Sequence, residues 1–282
     1  MNRHFIFRFA VLTVMTAGWA SAQQGDAPKP AAPLTFDVTS VKPRTTPPAP
    51  GEFGGIHALP GGQTYQARFV PLKLMIKLMY KVTDSQIVGG PKWMDTELWD
   101  IEAKAEHPST LDQLHEMFQT MLADRFKLRF HREKREISAY VLTIDQSGSK
   151  LKVNDSPDAF DFPIKPAPGR PPIVPNGVLL KIVGNRVPMS YFTWTLSGYL
   201  QNVPVVDKTG LDQFYDFKLE WLQELPPQVA ARAAESASFS ESGPDGPTLP
   251  EALREQLGLK LERRKAPAEV CVIDRVEKPE AN

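Results

Sequence analysis

The spacing of apolar positions changes several times along the chain, and each change marks an element. Between Val70 and Val82, Leu72, Met75, Ile76 and Met79 recur at helical spacing, with Leu74 and Leu78 widening the stripe. A helix of this pattern is buried around most of its circumference. Pro71 suits its first turn, where a missing N–H costs no partner. The period then falls to two: in LWDIEAKAE, Trp99, Ile101 and Ala103 alternate with Asp100, Glu102 and Lys104, as in a strand with one wet face. Helical spacing returns at Leu111, Leu114, Phe118, Met121 and Leu122, with Ser109 or Thr110 as N-cap and an end near Ala123. FKLRFHREKREISAYVLTID follows with two alternating runs, Phe126-Leu128-Phe130 and Ile137-Ala139-Val141, joined through charged residues. It reads as a β-hairpin.

Upstream, LTFDVTSVKP alternates as a strand that Pro43 should stop, and a Pro/Gly-rich loop runs from there to Gly62. SQIVGGPK gives a short strand and a turn at Gly89, Gly90 and Pro91. Residues 146–177 carry many prolines and little periodicity, which suggests an inserted loop, and residues 223–247 form a linker rich in Ala, Ser, Pro and Glu, with a short helix conceivable at QVAARAA.

The same order then recurs. A helix from Val187 to Tyr199 opens VPMS as the first opened VPLK, VPVVDKTG stands where SQIVGGPK stood, and FYDFKLEW repeats the aromatic-Asp-apolar order of LWDIEAKAE. LPEALREQLGLKLERRKAPAEVCVID then matches the second helix and hairpin, both copies ending in Ile-Asp at Asp145 and Asp274. The expected fold class is therefore α+β: two tandem helix-strand-strand-helix-strand-strand repeats, mainly antiparallel, over residues 34–145 and 178–282. On this alignment Asp207, Lys208, Thr209 and Gly210 occupy a turn between strands. A Lys-Thr-Gly catalytic motif would need a Ser-x-x-Lys nucleophile on a helix, but that spacing falls only at Ser147–Lys150 and Ser149–Lys152, in the Pro-rich stretch read as an inserted loop, and no phosphate-binding Gly-x-x-x-x-Gly-Lys loop occurs.

The first 22 residues combine a basic start, an apolar run from Phe9 to Trp19 and Ala20-Ser21-Ala22, the grammar of a cleaved signal peptide. Residues 23–33 read as a disordered Pro/Ala tether. The apolar run falls short of the roughly 20 residues a membrane span needs, and no later segment approaches it, so the mature chain is expected to be periplasmic or extracellular with no integral membrane segment. Lys plus Arg equal Asp plus Glu at 33 each, which gives no electrostatic reason to expect nucleic acid. Cys271 is the single cysteine, and between Val270 and Val272 it reads as core packing.

Candidate chemistry is sparse. His57 and His107 fall in loops, His115 on a helix and His131 in a strand, without the spacing of a metal site, and no Gly-x-Ser-x-Gly elbow appears. Paired acids such as Asp95 and Glu97, or Asp212 and Asp216, carry no geometry by themselves. No catalytic, cofactor-binding or metal-binding residue is assigned, and no cofactor is expected. The candidate interaction residues are the basic ones of the two hairpins: Arg129, His131, Arg132, Lys134, Arg135, Arg263, Arg264 and Lys265.

FDVTSVKP, QIVGGPKWMDTELWDIEAKA, MLADRFKLRFHREKREISAYVL, VVDKTGLDQFYDFKLEW and LREQLGLKLERRKAPAEVCVIDRVEKP together resemble a large family of secreted proteins of unknown function from soil bacteria. The departures are small: LMYKV where alanine commonly precedes the tyrosine, and Cys271 at a place often aliphatic. The resemblance implies no catalytic residues. More loosely, each helix-strand-strand unit is similar to the small modules at the periplasmic ends of secretins and TonB-dependent receptors. The expected function is a non-catalytic binding module of the cell envelope with a protein partner, against two alternatives: an envelope or extracellular hydrolase, and an extracytoplasmic ligand sensor.

Overall fold

The computed structural model describes residues 33–280 except 47, 50, 53, 158–160, 170, 172, 175, 176 and 225–245. The expected signal peptide, nearly all of the tether and the body of the 223–247 linker, including QVAARAA, lie outside the described residues. The first half of the chain runs β1 (Val38–Arg44), β2 (Gly55–Ala58), β3 (Thr64–Pro71), α1 (Leu72–Tyr80), β4 (Ile87–Val88), α2 (Trp93–Thr96), β5 (Leu98–Lys104), α3 (Leu111–Arg125) and β6 (Arg129–Ile144). The second runs β7 (Lys152–Val153), β8 (Ile164–Pro166), β9 (Ile173–Val174), β10 (Gly177–Pro188), α4 (Met189–Tyr199), β11 (Val205–Asp207), β12 (Phe214–Gln223), α5 (Leu249–Leu257) and β13 (Leu259–Arg275). Helices and mainly antiparallel strands make this an α+β fold.

Three sheets organise it. The first has the order β1-β5-β3-β2, and the second has β7-β12-β10-β8 with β9 also on β10. The third, β11-β6-β13-β4, draws two strands from each half. One core gathers the first sheet with α1 and α3 around Trp99, Phe118 and Phe126, and the other gathers the second sheet with α4 and α5 around Trp221 and Phe192. The third sheet feeds both. Leu128 and Cys271 lie in the first core, while Leu142 and Leu259 lie in the second.

Several expectations need correction. The two hairpins do not exist: β6 and β13 are single strands of 16 and 17 residues, paired with each other from Ile144↔Leu259 to Arg129↔Arg275. The charged centre that suggested a turn is simply the exposed middle of a long ribbon, where alternation continues without a break. Pro43 does not end β1, because β1 is an edge strand whose only neighbour is β5 and the proline ring displaces no partner on the open side. The loop before Gly62 holds β2, hydrogen-bonded to β3, and the 146–177 segment holds β7, β8 and β9. By contrast α3 starts as its sequence requires: Thr110 and Gln113 form a reciprocal capping box, with Gln113 Oε1 accepting the Thr110 N–H at 2.9 Å.

The strand-to-helix junctions β3–α1 and β10–α4 use one device. Each strand bulges, between Ala67 and Val70 or between Gly184 and Val187, and a bulged residue takes a left-handed conformation, Phe69 at φ 52° and Arg186 at φ 51°. A bulge turns one backbone N–H away from the ladder, and that donor needs an acceptor. Asp100 Oδ1 on β5 accepts from Phe69 N at 3.0 Å, and Asp216 Oδ1 on β12 accepts from Arg186 N at 2.7 Å. Pro71 and Pro188 then lead into the helices with near-identical torsions (φ −72°, ψ 149° and φ −75°, ψ 149°). Asp100→Ala and Asp216→Ala should each lower the unfolding free energy by about 1.5–3 kcal/mol, the worth of a hydrogen bond to a charged acceptor. Urea titration checks this, and an alanine variant as stable as the parent would show that the carboxylate contributes nothing to the bulge.

Candidate functional site

The β6/β13 ribbon collects every basic residue singled out from the sequence. Its flanking strands are short: β11 pairs only with Tyr140–Leu142 of β6, and β4 only with Cys271 and Val272 of β13. Among the described residues no strand lies beside the outer edge of β6 from Arg129 to Ala139. The matching edge of β13 is partly sealed, because Gln86 Nε2 donates to the Glu269 carbonyl at 2.9 Å.

The eight candidate residues are all exposed, but they do not form one cluster. Arg129, His131, Arg132, Lys134 and Arg135 occupy one end of β6, whereas Arg263, Arg264 and Lys265 stand opposite Tyr140, Ala139 and Ser138, nearer its other end. Several are already neutralised. Arg132 pairs with Glu269 and Arg135 with Glu133, and His131 Nδ1 lies 2.8 Å from Asp274 Oδ1. The hydrogen bond to Glu269 is the main cause that raises the Arg132 pKa. The Arg263 guanidinium sits 5.9 Å over the Tyr140 ring. No ion pair within the described residues engages Arg129, Lys134, Arg264 or Lys265, so these four are the charges open to a partner.

The other singled-out residues have local explanations. Gly89 and Gly90 turn the chain at φ 80° and 84° ahead of Pro91, between β4 and α2. In Asp207-Lys208-Thr209-Gly210, Asp207 Oδ1 accepts from both Thr209 N (2.9 Å) and Thr209 Oγ1 (2.7 Å), and Thr209 Oγ1 accepts from Leu211 N at 3.2 Å. Asp207 Oδ1 and Thr209 Oγ1 are thus both used to shape an Asx turn. Asp95 is ion-paired to Lys73 at 3.0 Å and Glu97 to Lys278 at 2.5 Å, while Asp216 is occupied by Arg186 N and Asn154 Nδ2. Cys271 is buried, which pushes its thiol pKa up.

A second feature is a cavity of about 450 Å³ walled by α1, α3 and α4. Tyr191 and Trp194 enter it from α4, His115 from α3, and Lys81 and Arg186 flank it; Tyr65 stacks within 4.5 Å of Phe118 behind. Burial is the main cause that lowers the His115 pKa, with the nearby Lys81 charge adding to it. Ser190, His115 and Asp112 all border the cavity, yet no hydrogen bond joins Ser190 to His115 or His115 to Asp112. His57, the loop histidine that an active cleft might have used, is exposed on β2 and does not line the cavity; its neighbour Ile56 does. No group of three or more His, Cys, Asp or Glu residues with metal-binding geometry occurs among the described residues, and none of their helices is long and apolar enough to cross a membrane.

The model of a protein family of unknown function, DUF3738, matches residues 73–276, from the first turn of α1 to the residue after β13. The chain belongs to that family. The DUF3738 match therefore takes in the second core, the whole ribbon, most of the cavity wall and the helices of the first core, while β1, β2 and β3, three of the four strands of the first sheet, precede it. No curated protein and no solved structure matches the chain significantly.

Proposed function

We propose that this DUF3738 protein is an exported, non-catalytic binding protein of the cell envelope, built as two copies of one packing plan, that takes an extended acidic segment of a protein partner along the open edge of β6. The two copies are supported by the paired bulge-aspartate-proline junctions and by the mirrored parallel additions of β4 to β13 and β11 to β6. Export, and membership of a secreted soil-associated group, rest on the basic and apolar N-terminal pattern with its Ala20-Ser21-Ala22 ending and on the motifs quoted above.

One observation carries the binding role: the edge of β6 from Arg129 to Ala139 has no neighbouring strand among the described residues, so its backbone donors and acceptors are free to template one. The charge around it selects the partner. Residues 129–138 and 259–270 hold eight Lys and Arg against four Glu, in a chain whose total charge is zero.

A synthetic peptide alternating glutamate with valine and threonine is the direct probe. It should bind one to one, weaken as salt is raised, and slow amide hydrogen exchange between Arg129 and Ala139. Arg129→Glu combined with Lys134→Glu should weaken it by about tenfold or more. Unchanged exchange over that stretch in the presence of the peptide, or equal binding by a DNA duplex, would remove the basis for this reading.

A further inference from the structure

α4 is apolar on more than one side. Met189, Phe192 and Leu196 are buried in the second core, yet Tyr191 and Trp194 project from the same helix into the cavity shared with α1 and α3. The rim is also aromatic. Phe162 and Phe214 both border this cavity, and they remain 44% and 38% exposed. Solvent-facing phenylalanines cost free energy unless something covers them, so their meeting at one concave site is a mark of binding.

The polar groups indicate what the occupant carries. Arg186 borders the cavity with its guanidinium 4.0 Å over the Phe214 ring, and its Nε is buried without a hydrogen-bond partner. A buried guanidinium N–H left unpaired is expensive, and a carboxylate is its best-matched acceptor. Lys81, whose Nζ lies 5.6 Å over the Tyr191 ring, puts a second positive charge on the same cavity. Two acids also line it: Asp161, whose Oδ1 accepts the Leu111 N–H at 3.2 Å, and Asp112 in the first turn of α3. A second cavity of about 500 Å³ adjoins at Leu78, Tyr191 and Trp194, leaving room beyond the first ring.

We propose that this cavity binds a planar aromatic carboxylate, its ring packed against Tyr191 and Trp194 and its carboxylate held by Arg186. The site is separate from the β6 edge and stands whether or not that edge binds a strand. Offset and edge-on ring contacts supply the affinity, and the charge-assisted bond to Arg186 supplies the selection for an acid over a neutral ring of the same size.

The test uses the full chain and three probes in calorimetric titrations: 2-naphthoate, neutral 2-naphthalenemethanol, and decanoate, an acid without a ring. 2-Naphthoate should bind one to one and more tightly than either of the others. Arg186→Gln should weaken 2-naphthoate by about tenfold while leaving 2-naphthalenemethanol unchanged, and Trp194→Ala should weaken both naphthalene probes. Because Trp194 is only partly buried, that variant keeps the second core and separates lost binding from lost folding, which circular dichroism verifies. Failure of 2-naphthoate to bind the parent protein, binding undiminished by Arg186→Gln, or decanoate binding as tightly as 2-naphthoate would each overturn the assignment.

Discussion

Trp99→Ala is expected to lower the unfolding free energy by about 3–5 kcal/mol, the usual cost of emptying a large aromatic site in a core that relaxes only partly. Trp99 is 1% exposed, and its ring meets Phe126 edge-on at 5.1 Å and Trp93 at 6.3 Å. Its indole Nε1 is buried with no hydrogen-bond partner. Nothing polar is therefore lost when the indole becomes a phenyl ring. Trp99→Phe should cost much less than Trp99→Ala, and urea unfolding followed by far-UV circular dichroism separates the two. If phenylalanine proved as damaging as alanine, an unseen polar partner for Nε1 would have to be invoked and the packing account abandoned.

The second large effect is expected at Gly258, the C-cap of α5, where the helix turns directly into β13. Its φ is +65°, and a methyl group there would lie 1.9 Å from the Gly148 carbonyl oxygen. Left-handed backbone costs an L-residue roughly 1–2 kcal/mol, and relief of the overlap must move the 145–150 segment. That segment is tied down by two hydrogen bonds, Asp145 N to Gly258 O at 2.9 Å and Lys150 N to Leu257 O at 2.9 Å. With those bonds stretched as well, Gly258→Ala should destabilise by about 3 kcal/mol or more. Gly148→Ala supplies the control, because Gly148 also has positive φ (+81°) but no atom within 4 Å of the added carbon. The two thermal midpoints should differ clearly, and equal midpoints would mean that torsion alone sets both costs.

Much of the fold was legible because it depends on neighbours in the chain. The α3 stripe and its Thr110–Gln113 box, the alternation of β5, and the matched aspartates Asp100 and Asp216 all act within a few residues or declare themselves by position. The ribbon was misread for the opposite reason. Between Phe126 and Asp145 there is no Gly, Pro or Asn to mark a turn, and the residue that explains His131 is Asp274, 143 positions away. A charged stretch in a two-stranded ribbon and a charged hairpin tip look alike in a short window. The cavity was invisible on the same grounds, since its wall runs from Ile56 to Phe214 and is drawn from both cores. Only the excess of aromatic residues in SYFTWTLSGY hinted that α4 has a second apolar face.

The third sheet has a consequence for how such a chain is made. The first core contains Cys271, with Ile273 and Val276 packed against it, all contributed by the C-terminal end. Synthesis through Ile144 therefore delivers a half whose apolar interior still has an open seam, and that seam waits for more than a hundred further residues. The first core should close fully only after β13 has left the ribosome, in contrast to the usual progression from the N-terminal domain onward. A chain cut just before Leu259 should therefore leave an apolar seam uncovered in its N-terminal half, although every residue of that half is still present.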